Sequence, residues 1–109
     1  MRTAKDVVAH LRACQALANK FGEQGYKMAV TPTEQALLDE LRLIRDEGWF
    51  EGESECQTDE LRRAAGLRRS DLSMLLGRLH HDDVLADPTM AILETMAYFK
   101  KTRNNARES

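Results

Sequence analysis

Two adjacent arginines, Arg68 and Arg69, open a segment whose residue types suit contact with DNA. Guanidinium groups bind phosphates and make bidentate contacts with base edges, and small polar side chains such as Ser70 allow close approach. The candidate DNA-contacting residues are Arg63, Arg68, Arg69, Ser70, Ser73, Met74 and Arg78. The competing interpretation is a solvated helix face with incidental arginines, because modules of this kind also dock proteins.

Other residues that could do chemistry form no recognisable site. The neighbours His80, His81, Asp82 and Asp83 would diverge on a helix, and no second Cys/His cluster supports a metal site. The two cysteines, Cys14 and Cys56, form no CxxC pair and are expected to be free thiols in a reducing compartment. No nucleophile–base pair, glycine-rich phosphate loop or cofactor motif occurs. We therefore expect a binding protein with no enzyme activity, cofactor or metal.

Composition limits the class of protein. The 109 residues suffice for a single domain, and the hydrophobic (42%) and charged (31%) fractions are those of a globular chain. A net charge of −2 argues against indiscriminate polyanion binding, although residues 58–109 carry 9 Lys/Arg against 8 Asp/Glu. No apolar run would span a bilayer and no signal-peptide pattern opens the chain, so a cytoplasmic location without membrane contact is expected.

The first element that would position the arginines is a helix over residues 3–22. Thr3 and Asp6 resemble a capping box. Apolar residues then recur at alternating spacings of four and three, which predicts an apolar stripe for a partner helix, within the chain or in a second subunit. The stripe consists of Val7, Leu11, Cys14, Ala18 and Phe21.

The second helix has the clearest start in the sequence. Thr31 is suited to cap it, Pro32 fits its first position, and Glu34 completes a capping box. Leucines and an isoleucine at helical spacing predict a core helix that runs to about Asp46. Trp49, just beyond it, is expected to pack with Phe50 into the core.

The central segment, residues 58–85, predicts two short helices joined by a tight turn. Thr58 would cap the first, and Gly66 fits the left-handed residue that ends it. The second helix would begin near Arg68 and bury one stripe of leucines. That stripe consists of Leu72, Leu75, Leu76 and Leu79.

The sequence allows two secondary structures from Val84 onward. Val84–Ala86 could be a short strand that turns at Asp87-Pro88. The favoured alternative is a helix over residues 88–103 with Ile92, Met96 and Phe99 on one face. The complete prediction is a single all-α or mainly α domain, residues 1–109, of about five helices.

Residues 31–85 resemble the winged helix-turn-helix regulators of the MarR-like group, through TPTEQALLDEL, TDELRRAAGLRRSDLSMLLGRL and the terminal DDVL. The resemblance implies a transcriptional regulator that binds double-stranded DNA through the helix after Gly66. Asp82-Asp83 replaces the usual glycine, Arg62 replaces a small residue, and no basic hairpin follows Leu85. The wing is thus expected to be reduced or absent.

The resemblance also implies a homodimer formed by the terminal helices. The expected interface is Val7, Leu11, Cys14, Phe21, Ile92, Met96 and Phe99. The alternative function is a protein-interaction adaptor without DNA binding, in which the same face of the helix after Gly66, or the apolar stripe of the first helix, docks a protein. A structural subunit of a larger assembly is a third possibility.

Overall fold

The computed structural model describes residues 1–51 and 55–89 together with residues 92, 93 and 96; the side chains of residues 55 and 56 are not described. Five helices lie in this part of the chain, and none of its residues forms a strand. The helices are α1 (Ala4–Ala13), α2 (Gln15–Gln24), α3 (Pro32–Asp46), α4 (Glu55–Ala64) and α5 (Arg69–Ala86). The prediction of a mainly helical fold is confirmed.

Two capping boxes start α1 and α3. The Thr3 backbone N–H donates to the Asp6 carboxylate at 2.9 Å, and the Asp6 N–H donates to the Thr3 hydroxyl at 3.3 Å. Thr31 and Glu34 make the same reciprocal pair at 2.9 and 3.2 Å. Both boxes satisfy backbone donors that have no partner within the helix, so both predicted starts are confirmed.

The predicted helix over residues 3–22 is divided at Cys14, which ends α1 and begins α2. The apolar stripe continues across this junction, and its five members have no exposed surface. Its partner therefore lies within the chain, in the core that α1 forms with α3 and α4. This corrects the expected dimer interface, because Val7, Leu11, Cys14 and Phe21 have no surface left for a second subunit.

The predicted start of α4, with Thr58 as its N-cap, is wrong. The helix begins at Glu55, so Thr58 lies inside its first turns and does not cap it. α4 contributes Leu61 to the core, and Ala65 and Leu67 follow it into the same cluster. Trp49 and Phe50 pack against this cluster but are only half-buried, whereas the sequence predicted them within the core.

Contacts divide the expected single domain into two units, Met1–Leu79 and His80–Ser109. The hydrophobic core described here belongs entirely to the first unit. It buries side chains from α1, α2, α3, α4 and α5, with Phe21 the largest that is fully enclosed. Among the described residues, no helix has both the length and the apolar character that crossing a membrane requires.

In the second unit, the strand considered as an alternative at Val84–Ala86 is not formed, since these residues belong to α5. Most of the predicted helix over residues 88–103 lies outside the described residues, and so does Phe99. Pro88, Thr89, Ile92, Leu93 and Met96 are helical. Ile92 and Met96 are about 60% exposed, so a dimer interface through them stays a prediction.

Candidate functional site

The turn between α4 and α5 determines where the arginines of α5 begin. Gly66 has φ +78°, in the left-handed region that favours glycine. The Leu67 N–H donates to the Arg62 carbonyl and the Gly66 N–H to the Arg63 carbonyl, both at 3.0 Å. These two bonds form a Schellman motif, which satisfies carbonyls at the end of α4. The predicted glycine turn is confirmed.

Side chains from the junction of α1 and α2 bind the same turn. The Arg12 guanidinium donates to the Ala64 carbonyl at 3.0 Å. The Gln15 amide donates to the Gly66 carbonyl at 3.2 Å. Arg62 also spans the turn, with its Nη1 donating to the Leu67 carbonyl at 2.6 Å. The start of α5 is therefore held by three side chains as well as by the backbone.

Arg68 is held at the start of α5 by Asp71. The Arg68 Nε and Nη2 donate to the two Asp71 oxygens, both at 3.2 Å, and the Arg68 backbone N–H donates to Oδ2 at 2.9 Å. The Asp71 residue is only 5% exposed, whereas 74% of the Arg68 side chain is exposed. A buried carboxylate thus orders an exposed guanidinium whose far side faces solvent.

Arg69 is held by a carboxylate of α4. The Arg69 Nη2 donates to Asp59 Oδ2 at 2.8 Å, and the Arg69 side chain is also 74% exposed. The bond from Arg69 holds the pKa of the Asp59 carboxyl below its usual range. Arg62 approaches the other Asp59 oxygen at 3.5 Å. One carboxylate therefore faces two guanidinium groups.

The remaining candidates differ in exposure. Arg63, Ser70 and Ser73 are exposed, as contact with a large partner would require. Met74 is half-buried and packs against the core. Together with Arg68 and Arg69, the exposed residues form a polar surface of cationic and small side chains at the end of α4 and the start of α5.

Arg78 is not part of that surface, and its predicted contact with DNA is corrected. It is 8% exposed, and its Nη1 donates to the Tyr26 carbonyl at 2.9 Å and to the Met28 carbonyl. Its Cζ lies 5.7 Å from the centre of the Phe21 ring. Arg78 therefore ties α5 to the connector between α2 and α3.

Sequence reasoning missed an open groove of about 540 Å³ between α4 and α5. We call it the α4–α5 groove. Its lining is Thr58, Asp59, Arg62, Arg69, Leu72, Ser73, Leu76 and Gly77. Arg62, Arg69 and Asp59 supply the charged groups of the lining. Leu72, Leu76 and Gly77 of α5 supply its apolar part. No signal in the sequence marked this groove, and Leu76, which the sequence placed in the core stripe, is half-buried in the structure.

Other chemical candidates show no site in the described part of the chain. Cys14 is a free thiol without exposed surface, and burial raises its pKa to about 12, so it stays protonated near neutral pH. Cys56 has no described side chain. No three His, Cys, Asp or Glu side chains among the described residues come together as metal ligands.

The Asp71 carboxylate should make the stability of the protein pH-dependent. Burial raises its pKa, but the hydrogen bonds from the Arg68 side chain and backbone outweigh burial and leave the pKa lowered. The ionised form therefore stabilises the fold above the unfolded-state pKa of about 3.9, and this contribution is lost as pH falls through the lower folded-state pKa.

We expect Asp71→Asn to lose about 1 kcal/mol in the free energy of unfolding near neutral pH. Urea titrations toward about pH 3 should show the difference from wild type shrinking, since wild type loses the same charge. Asp46→Asn, at the exposed end of α3, is the matched control and should change stability by less than about 0.5 kcal/mol. A penalty that does not depend on pH would show that the Asp71 charge plays no part.

Comparison with models of protein families, with curated proteins and with solved structures finds no match for this chain.

Proposed function

We propose that this protein is a small cytoplasmic DNA-binding regulator without enzyme activity, in which α4, the Gly66 turn and α5 form a helix-turn-helix. Double-stranded DNA is its partner, and the start of α5 enters the major groove. The observation that carries the proposal is the run Arg68, Arg69 and Ser70, three consecutive exposed residues directly after a turn fixed from several sides.

The ion pairs of the two arginines support this role. Asp71 and Asp59 orient the guanidinium groups before DNA arrives, which reduces the entropy lost on binding. Each guanidinium has five N–H donors, so a carboxylate contact on one side is compatible with a phosphate or base contact on the exposed side. Ser70 and Ser73 are small enough to let the helix approach base edges.

The proposed regulator is MarR-like and acts as a homodimer. Because the α1 and α2 residues of the expected interface are buried, the dimer proposal retains Ile92, Met96 and Phe99. Two copies would place their α5 starts about one DNA turn apart. Since Val84–Ala86 belong to α5, the proposed regulator has no wing strand at these residues.

A salt-titrated binding assay tests the proposal. We expect wild type to bind a duplex of about 30 base pairs, long enough for two half-sites. Replacing both arginines, in Arg68→Ala/Arg69→Ala, should weaken binding at least tenfold at moderate salt and reduce the slope of log K against log salt by roughly 2.

The matched control is Arg42→Ala/Arg45→Ala, which removes the same charge from α3 and should leave the salt slope unchanged. Circular dichroism verifies that each variant remains helical. The proposal fails if wild type binds no duplex at low salt, and the assigned face is wrong if both arginine pairs lose affinity equally.

A further inference from the structure

The α4–α5 groove contains a buried guanidinium whose hydrogen bonds are incomplete. Arg62 is 92% buried, since only 8% of its surface is exposed. Its Nη1 binds the Leu67 carbonyl, but its Nε is buried without a hydrogen-bond partner among the described residues. A buried charged donor left without a partner is costly, so an additional acceptor near this group would be stabilising.

The charges around Arg62 favour an anion. Among the described residues, Asp59 supplies the only carboxylate of the groove lining, and it is shared between two arginines. Its Oδ2 lies 2.8 Å from Arg69, whereas its Oδ1 lies 3.5 Å from Arg62, at the limit of a hydrogen bond. The described lining therefore carries two positive charges and one negative charge. Arg62, the more buried of the two arginines, has the longer contact with Asp59.

The rest of the groove suits an apolar side chain. Leu72 and Leu76 line it. The space beside Gly77 is open, because a Cβ at this position would meet no atom within 4 Å. Glycine in a helix interior costs roughly 0.5–1 kcal/mol relative to alanine. No contact within the described chain requires that glycine, so the space beside Gly77 is available to a ligand.

We propose that the α4–α5 groove docks a segment of another protein that presents an Asp or Glu beside a large apolar side chain. The carboxylate binds the exposed Arg69 guanidinium and adds negative charge beside Arg62, and the apolar side chain packs on Leu72 and Leu76. From Arg69 to Gly77 the groove follows α5 for about 12 Å, at about 1.5 Å per residue. This length and its open side fit a peptide segment better than a small ligand, which binds with most of its surface buried.

The inference goes beyond DNA binding and does not depend on it. Charge complementarity decides the class of partner, because the groove offers a net positive end next to apolar surface. A DNA backbone supplies the anion but no apolar side chain for Leu72 and Leu76. An acidic and apolar peptide supplies both.

The test uses a displayed library of random peptides of about twelve residues, roughly 18 Å long if helical. Ser73→Glu places a carboxylate in the groove lining, where it competes for the arginines and fills space. Ser70→Glu is the matched control, because it adds the same charge at an exposed residue of α5 outside the lining. Circular dichroism checks the fold of both variants.

We expect peptides selected on wild type to be enriched in Asp or Glu next to a large apolar residue. Synthetic copies should bind wild type and Ser70→Glu equally and bind Ser73→Glu at least tenfold more weakly. Selection without acidic enrichment, or equal binding to Ser73→Glu, would overturn the inference.

Two other occupants of the groove would each give a different experimental result, and either result overturns the proposal. If no peptide is selected and light scattering shows a dimer that Ser73→Glu dissociates, the groove holds a second copy of this chain. If no peptide is selected and Ser73→Glu weakens duplex binding more than Ser70→Glu does, the groove holds nucleic acid. Selected peptides together with no duplex binding would refute the proposed regulator while leaving the groove proposal intact.

Discussion

Phe21→Ala is expected to destabilise the protein by about 3–5 kcal/mol, the range for truncating a buried aromatic side chain. Among the described residues, Phe21 is the largest side chain with no exposed surface, and it packs in the cluster that all five helices supply. The loss combines the transfer free energy of the ring with the cavity that the surrounding side chains cannot fill. It is measured as the free energy of unfolding in urea, followed by circular dichroism.

The matched control is Leu43→Ala in α3, a large-to-small change at a residue that is 54% exposed. It should change stability by less than about 0.5 kcal/mol. A protein of this size has about 5–15 kcal/mol in total, so Phe21→Ala could unfold it. Phe21→Leu keeps the measurement possible with a smaller loss, of about 1–2 kcal/mol. Losses below about 1 kcal/mol for both Phe21 variants would show that the ring is not enclosed.

Arg78→Met is expected to cost about 2–4 kcal/mol in the free energy of unfolding. The substitution keeps a long side chain but removes the donors to the Tyr26 and Met28 carbonyls and the contact with the Phe21 ring. Charged donors to half-buried carbonyls are worth more than neutral ones, and the freed carbonyls lose their partner. Urea unfolding measures the loss.

Arg63→Met provides the reciprocal control, because Arg63 is exposed at the end of α4. It should change stability by less than about 0.5 kcal/mol and, under the proposed function, weaken duplex binding. Folded Arg78→Met should bind duplex as wild type does. The opposite outcome, with stable Arg78→Met protein that has lost DNA binding, would contradict the position of Arg78 in the fold.

The sequence correctly predicted those features that depend on residues close together in the chain. The Thr31 capping box, the Gly66 turn and the end of α3 near Asp46 each depend on residues within a few positions of one another, and all three are confirmed. The start of α4 was mistaken because Thr58 has the right type for a cap, yet the helix continues three residues before it.

The buried face of α5 could not be predicted from its leucines alone. It includes Asp71 and Arg78 together with Leu72, Leu75 and Leu79, while Leu76 is only half-buried. Asp71 is bound by Arg68, three residues earlier, whereas Arg78 is bound to backbone carbonyls that no periodicity reveals. The carbonyls that Arg78 binds lie 50 and 52 residues earlier in the chain.

The same limit applies to the apolar stripe that begins at Val7. Its spacing shows that a partner helix covers it, but spacing does not distinguish a partner within the chain from one in a second subunit. The structure places α3 and α4 against α1, so the distinction depends on tertiary packing. The α4–α5 groove was missed for a related reason, since its lining comes from two helices whose separation the sequence does not specify.

Arg69 connects the two proposals. It lies on the exposed surface proposed to contact DNA and also lines the α4–α5 groove. A carboxylate docked in the groove would compete with phosphate for this guanidinium. The Ser70→Glu and Ser73→Glu pair separates the two uses, because both substitutions add negative charge near the DNA face and only one obstructs the groove.

The bonds from Arg12 and Gln15 to the turn before α5 have a consequence for how the chain tolerates change. Both residues are exposed, and exposed helix positions normally accept most substitutions. Here their side chains bind backbone carbonyls 52 and 51 residues away. Random mutagenesis should therefore find Arg12 and Gln15 less permissive than their exposed neighbours Ala13 and Ala16. A fragment that lacks α1 and α2 would also lose the side chains that hold this turn.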